Sequence, residues 1–108
     1  MYKKYINLGK NAVENEDHET LQELYIELHN TDYRINTADI FLKLFYHACK
    51  LERKGTISYL YNYYKTMSIC DKIALRQSFV YGKYLMKTIE LKEWYSKTIL
   101  VNQHIQNL

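Results

Sequence analysis

Proline is absent from the 108 residues, and glycine occurs only three times. Sheet proteins draw on both residues for tight turns, so their scarcity points to helices. Cys49 and Cys70 are too few and too far apart for a disulfide scaffold or a thiolate metal site. Among apolar neighbours both read as small buried thiols, with a bridge between them left open. No apolar run approaches the ~18 residues of a membrane span. The opening Met1-Tyr2-Lys3-Lys4-Tyr5-Ile6-Asn7 lacks the apolar segment of a signal peptide. The expectation is a cytoplasmic, all-α protein of one domain, residues 1–108, with no membrane association.

Chemistry-bearing motifs are also missing. There is no Gly-rich phosphate loop, no HExxH, no paired-cysteine spacing, and no Glu followed three residues later by His. His18, His29 and His47 have acids or a cysteine nearby but form no acid–base constellation. This predicts a non-enzymatic protein with no cofactor and no metal.

What is present is tyrosine, twelve residues of it, and an uneven charge. Residues 1–32 hold three Lys against seven acids, whereas residues 33–108 hold twelve Lys or Arg against five, under a net charge of +3. Such a dipolar chain can steer an acidic partner to its basic part.

Hydrophobic spacing predicts about six helices. Helix one spans 2–14, with Tyr5, Leu8, Gly9, Ala12 and Val13 on one face. Helix two spans 18–30, with Leu21, Leu24, Tyr25 and Leu28 inward and Glu19, Glu23 and Glu27 on another face. Helix three, 38–53, is the expected centre through Ile40, Phe41, Leu44, Phe45, Ala48 and Cys49. Gly55 is the candidate left-handed residue after it. Truncating Phe45 there costs about 3–5 kcal/mol if it is fully buried. Helix four spans 57–67, with Tyr63 and Tyr64 inward and Tyr59 and Tyr61 turned partly away. Helix five spans 69–87 with Ile69, Ile73, Val80, Tyr84 and Leu85 inward. Helix six, 91–105, packs Leu91, Trp94, Tyr95, Ile99 and Val101, before a frayed end. Asn36-x-x-Asp39 and Ser68-x-x-Asp71 read as capping boxes.

A frame of Leu, two spacers, a large apolar residue and Tyr recurs at Leu21-Leu24-Tyr25, Leu60-Tyr63-Tyr64 and Leu91-Trp94-Tyr95, 39 and 31 residues apart. The average spacing near 35 is that of a helix-turn-helix repeat. Residues 2–33 resemble a tetratricopeptide-type repeat. Tyr5 stands at its first aromatic position, Leu8-Gly9 at its Leu-Gly pair and Ala12 one turn later, with Leu21, Tyr25 and Leu28 in the second helix. The likeness departs from the family pattern where Leu21 and Leu60 replace a small residue and where no Pro ends a unit. It implies three antiparallel hairpins, as a short solenoid or a helical bundle, and a peptide- or protein-binding scaffold.

Stacked in that order, the first helices of the hairpins would lie side by side and carry Lys43, His47, Lys50, Lys72, Arg76, Lys83 and Lys87, with Tyr46 and Tyr81 at their margins. These nine residues are the candidate partner-binding surface. The leading expectation is a regulatory interaction module for an acidic protein or peptide, with charge steering and aromatic anchoring. The alternatives are binding of single-stranded or non-specific nucleic acid by the same surface, and a structural subunit that forms homo-oligomers. Only three Arg occur, which disfavours specific duplex readout.

Overall fold

Seven α-helices and one π-helical segment account for most of residues 2–30 and 37–101, the part of the chain that the computed structural model describes. The helices are α1 (Tyr2–Glu14), α2 (His18–Asn30), α3 (Thr37–Lys50), α4 (Lys54–Tyr64), α5 (Ile69–Leu75), α6 (Ser78–Leu85) and α7 (Ile89–Tyr95). The π-helical segment, Ser96–Leu100, continues directly from α7. No strand occurs among the described residues. The first two helices match their expected limits, and the single helix expected over 69–87 is divided in two. The Asn36 capping box and the frayed end lie outside the described residues.

Local chemistry sets the helix starts. Asp17 accepts from the backbone N–H of Thr20 at 3.1 Å and from its hydroxyl at 2.6 Å, closing the first turn of α2. These two bonds hold the Asp17 carboxyl below its ordinary pKa. Ser68 caps α5 by accepting from Asp71 N–H at 3.3 Å, which is one half of the expected box.

The α1–α2 and α3–α4 turns are built alike. Glu16 and Glu52 adopt left-handed φ angles of 51° and 57°. In each turn the next residue reaches back five positions, Asp17 N–H to Ala12 O at 2.8 Å and Arg53 N–H to Ala48 O at 3.0 Å. This is the Schellman geometry, with glutamate where glycine is commonest. Gly55 therefore does not end α3; it lies inside α4 with an ordinary φ. The helices after these turns begin at His18 and Lys54, an offset of 36 residues. At that offset Leu21 corresponds to Ile57, Leu24 to Leu60 and Tyr25 to Tyr61. The recurring frame is thus displaced by about one turn from the 39-residue match.

Helix α3 packs against α1 and α6 and also meets α4 and α5. Gly9 permits the α1 approach, since a Cβ there would stand 2.6 Å from a methyl of Leu44. Gly82 does the same for α6, where a Cβ would meet the Tyr95 hydroxyl at 2.6 Å and Phe45 at 3.3 Å. Helices α2 and α4 touch through two ring stacks, His18–Tyr59 at 4.7 Å and Tyr25–Tyr63 at 4.2 Å. The extents, 38 × 32 × 19 Å, give a slab about two helix diameters thick.

The core is aromatic. Phe79 sits edge-on to Phe45 at 5.0 Å, Tyr61 at 5.3 Å and Tyr64 at 4.6 Å, geometries that the ring quadrupole favours. Phe45 is fully buried, as its position in α3 predicts. The Tyr95 hydroxyl donates to the Phe79 carbonyl, joining α7 to α6, and burial holds its phenol far above the ordinary pKa.

Several facing assignments are corrected. Tyr61 is buried with Tyr64, while Tyr63 is half-buried, because the α4 register follows Ile57, Leu60, Tyr61 and Tyr64. Leu8 and Val101 are exposed, and Ile6 takes the inward place in α1. Cys49 is buried, but Cys70 is exposed, and both are free thiols. The largest change is in α5 and α6. Ile69, Ile73, Val80 and Tyr84 face solvent, and Leu75, Phe79, Gly82 and Met86 face inward instead. Both sets have helical spacing; the second wins because Phe79 completes the aromatic core and Gly82 allows close approach.

Candidate interaction surface

The nine candidate residues fall into two groups. Helix α3 presents Lys43, Tyr46, His47 and Lys50 at the i, i+3, i+4, i+7 spacing of one helical side. Lys43 pairs with Asp39 at 3.4 Å, and His47 Nε2 lies 3.1 Å from a Glu14 carboxylate oxygen. The His47 contact ties α3 to α1. Lys50 is exposed.

The second group, Lys72, Arg76, Tyr81, Lys83 and Lys87, belongs to α5, α6 and the residues that follow each. Arg76 and Lys87 are exposed, and Lys72 and Lys83 are half-buried. The groups meet at one pair of rings, where Tyr46 contacts Tyr81 edge-on at 5.1 Å between centroids. Tyr46 also donates its hydroxyl to the Ser78 carbonyl at 3.2 Å, and burial raises its pKa. Tyr46 therefore pins α6 to α3, whereas Tyr81, 54% exposed, presents the open ring of the pair.

Sequence reasoning missed the apolar part of this surface. Ile69, Ile73, Val80 and Tyr84 are 74%, 62%, 51% and 72% exposed. Arg76 and Gln77, between α5 and α6, keep right-handed helical angles, so the chain turns onward through the break. Along it Ile69, Ile73, Arg76, Val80 and Tyr84 follow one another by four, three, four and four residues, the spacing of one helical stripe. Lys83 extends the same stripe, whereas Lys87 lies past the end of α6, where Met86 is extended. Between residues 69 and 87 Lys or Arg occurs four times and an acid once, at Asp71. The signal available in the sequence was that this segment is apolar on two sides, one more than a single core contact needs.

Among the described residues no group of three or more His, Cys, Asp or Glu could hold a metal ion. No helix there is long and apolar enough to cross a membrane. No family model matches the chain, and neither a curated protein nor a solved structure matches it significantly.

Proposed function

We propose that the protein is a non-enzymatic interaction module whose α5–α6 stripe docks an acidic, amphipathic segment of a partner protein. The observation that carries this reading is the row of exposed Ile69, Ile73, Val80 and Tyr84 with Arg76 inside it. Large apolar side chains rimmed by cations are the composition of an interface core and its rim, in which aromatic residues and Arg supply most of the affinity. Lys83 and Lys87 steer the acidic partner, and Tyr81 adds a ring at the edge. The tetratricopeptide-like reading rests on the 36-residue offset of the two glutamate turns and on the contacts of α1 with α2 and of α3 with α4. It belongs to the same proposal, because a helical-hairpin scaffold is suited to binding a partner segment.

The test is fluorescence anisotropy with a labelled Glu-rich helical peptide bearing Leu at i, i+3, i+4 and i+7. Ile73→Ser and Tyr84→Ala are expected to weaken binding about tenfold or more, and Lys87→Ala only slightly. A labelled single-stranded oligonucleotide is titrated in parallel. Its tighter binding, lost steeply with salt, would favour the nucleic-acid alternative. Self-association without binding of either probe would favour the structural-subunit reading.

A further inference from the structure

The outer ridge of α2 is the chemical complement of the α5–α6 stripe on the same chain. Helix α2 holds Glu19, Glu23 and Glu27 and no Lys or Arg, whereas the stripe carries Arg76 and Lys83 among apolar side chains. Glu27 is engaged with α1, accepting from the Tyr5 hydroxyl at 3.2 Å. Glu19, Glu23 and Ile26 are exposed and follow one another by four and three residues, on the side of α2 opposite its buried leucines. Like charges four residues apart on a helix repel each other, so a cation brought from outside relieves this ridge. An acidic helical row with an open isoleucine is the kind of segment that the stripe is fitted to bind.

The two rows also match in spacing. From Ile26 back to Glu23 and Glu19 the steps are three and four residues, and from Ile73 on to Arg76 and Val80 they are again three and four. Equal steps on two helices have equal lengths, so the rows can lie along each other. Laid antiparallel, α2 of one copy sets Ile26 on Ile73 and Glu23 on Arg76 of another. Glu19 then stands at Val80, one turn short of Lys83. The parallel alignments set Ile26 against Arg76 or Lys83 instead, which covers a cation with an apolar side chain. Charge and spacing therefore select one orientation. In it a carboxylate meets the guanidinium at the middle of the stripe, a charge-assisted contact, with isoleucine packed on isoleucine beside it.

We infer that the partner of the α5–α6 stripe is a second copy of this chain, whose α2 ridge lies antiparallel along it with Glu23 on Arg76. This rests on the reading of the stripe as a docking surface and adds the identity of what docks. Two different faces meet, so copies add one to the next unless they close into a ring. The test is sedimentation equilibrium of the full chain across protein concentration, at low and high salt. The average mass is expected to rise with concentration, less so in high salt, and the Glu-rich helical peptide should reverse the rise by competition. Glu23→Arg and Arg76→Glu are each expected to weaken association at least about tenfold. Carrying both in one chain, or mixing the two variants, is expected to restore it to within about threefold, because opposite charges then face each other again. Both positions are exposed, so each variant should keep the native helical circular dichroism. Glu23→Arg leaves the stripe intact and should still bind the peptide, whereas Arg76→Glu should lose both contacts. Peptide binding by a wild-type protein that stays monomeric would overturn the self-docking and leave the stripe reading standing. Association untouched by either charge reversal, or not restored by their combination, would overturn it as well. With neither peptide binding nor association, both readings fail.

Discussion

Glu52 holds Thr88 from two sides: one carboxylate oxygen accepts from its backbone N–H at 2.7 Å, and the other from its hydroxyl at 3.0 Å. The first oxygen also accepts from Lys87 N–H at 3.0 Å. One side chain in the α3–α4 turn thus fixes the connection between α6 and α7. The bonds from Thr88, with that from Lys87, hold the Glu52 carboxyl below its ordinary pKa. A lowered folded-state pKa contributes stability that is complete above the unfolded value, ~4.3, and is lost as pH falls through the folded one. Thermal melts of the wild type and Glu52→Gln are therefore expected to differ most near neutral pH and to converge on acidification below about pH 4. A difference that grew on acidification would refute the brace.

The two left-handed glutamates offer a matched comparison. Glycine relieves the same backbone cost at both positions. Glu16→Gly is expected to stabilise the protein by about 1 kcal/mol in urea unfolding. Glu52→Gly is expected to be destabilising instead, because it also removes all three bonds to Lys87 and Thr88. Equal effects would show that the carboxylate contributes nothing.

Gly82 lets α6 pack tightly against both α3 and α7. A Cβ there meets the hydrogen-bonded Tyr95 hydroxyl and the buried Phe45 ring. Gly82→Ala is expected to cost about 1–3 kcal/mol by overpacking, despite the better helix propensity of alanine. Phe45→Ala should cost about 3–5 kcal/mol. Denaturant midpoints at constant slope measure both.

The cysteines should separate in a thiol titration. Cys70 is exposed and is expected to react promptly in the native state. Cys49 is buried, and burial pushes its thiol pKa up to about 12, so it should react only on unfolding. Native protein is thus expected to yield about one reactive thiol, rising to two in denaturant. Two prompt thiols would contradict the packing of α3 against α6.

Where one apolar stripe stood against a polar remainder, the sequence was legible. The α2 limits and the burial of Leu21, Leu24, Tyr25 and Leu28 follow from a single stripe, and the α3 face around Phe45 is equally plain. Two situations defeated the same reasoning. In α4, four tyrosines in six residues offer two registers three positions apart. The choice of Tyr61 over Tyr63 comes from the contact of Tyr61 with Phe79, which is distant in sequence. In α5 and α6 two apolar stripes competed, and the packing of Phe79 and Gly82 decided between them. Of the candidate surface, the cations and Tyr81 were visible in advance, while the exposed isoleucines were assigned to the core. The left-handed glutamates could not be anticipated, because nothing local distinguishes them from ordinary helix-end residues.

Helix α5 has seven residues and buries only Leu75. At 3.6 residues per turn, Asp71 projects away from the side that carries Ile69 and Ile73. A short helix with one buried anchor belongs to the least protected part of a fold, and its amides should exchange with solvent well before those of α3. Local melting of α5 would take the exposed face of Ile69 and Ile73 with it, so a partner held on that face would lower the population of the melted form and slow the exchange of the α5 amides.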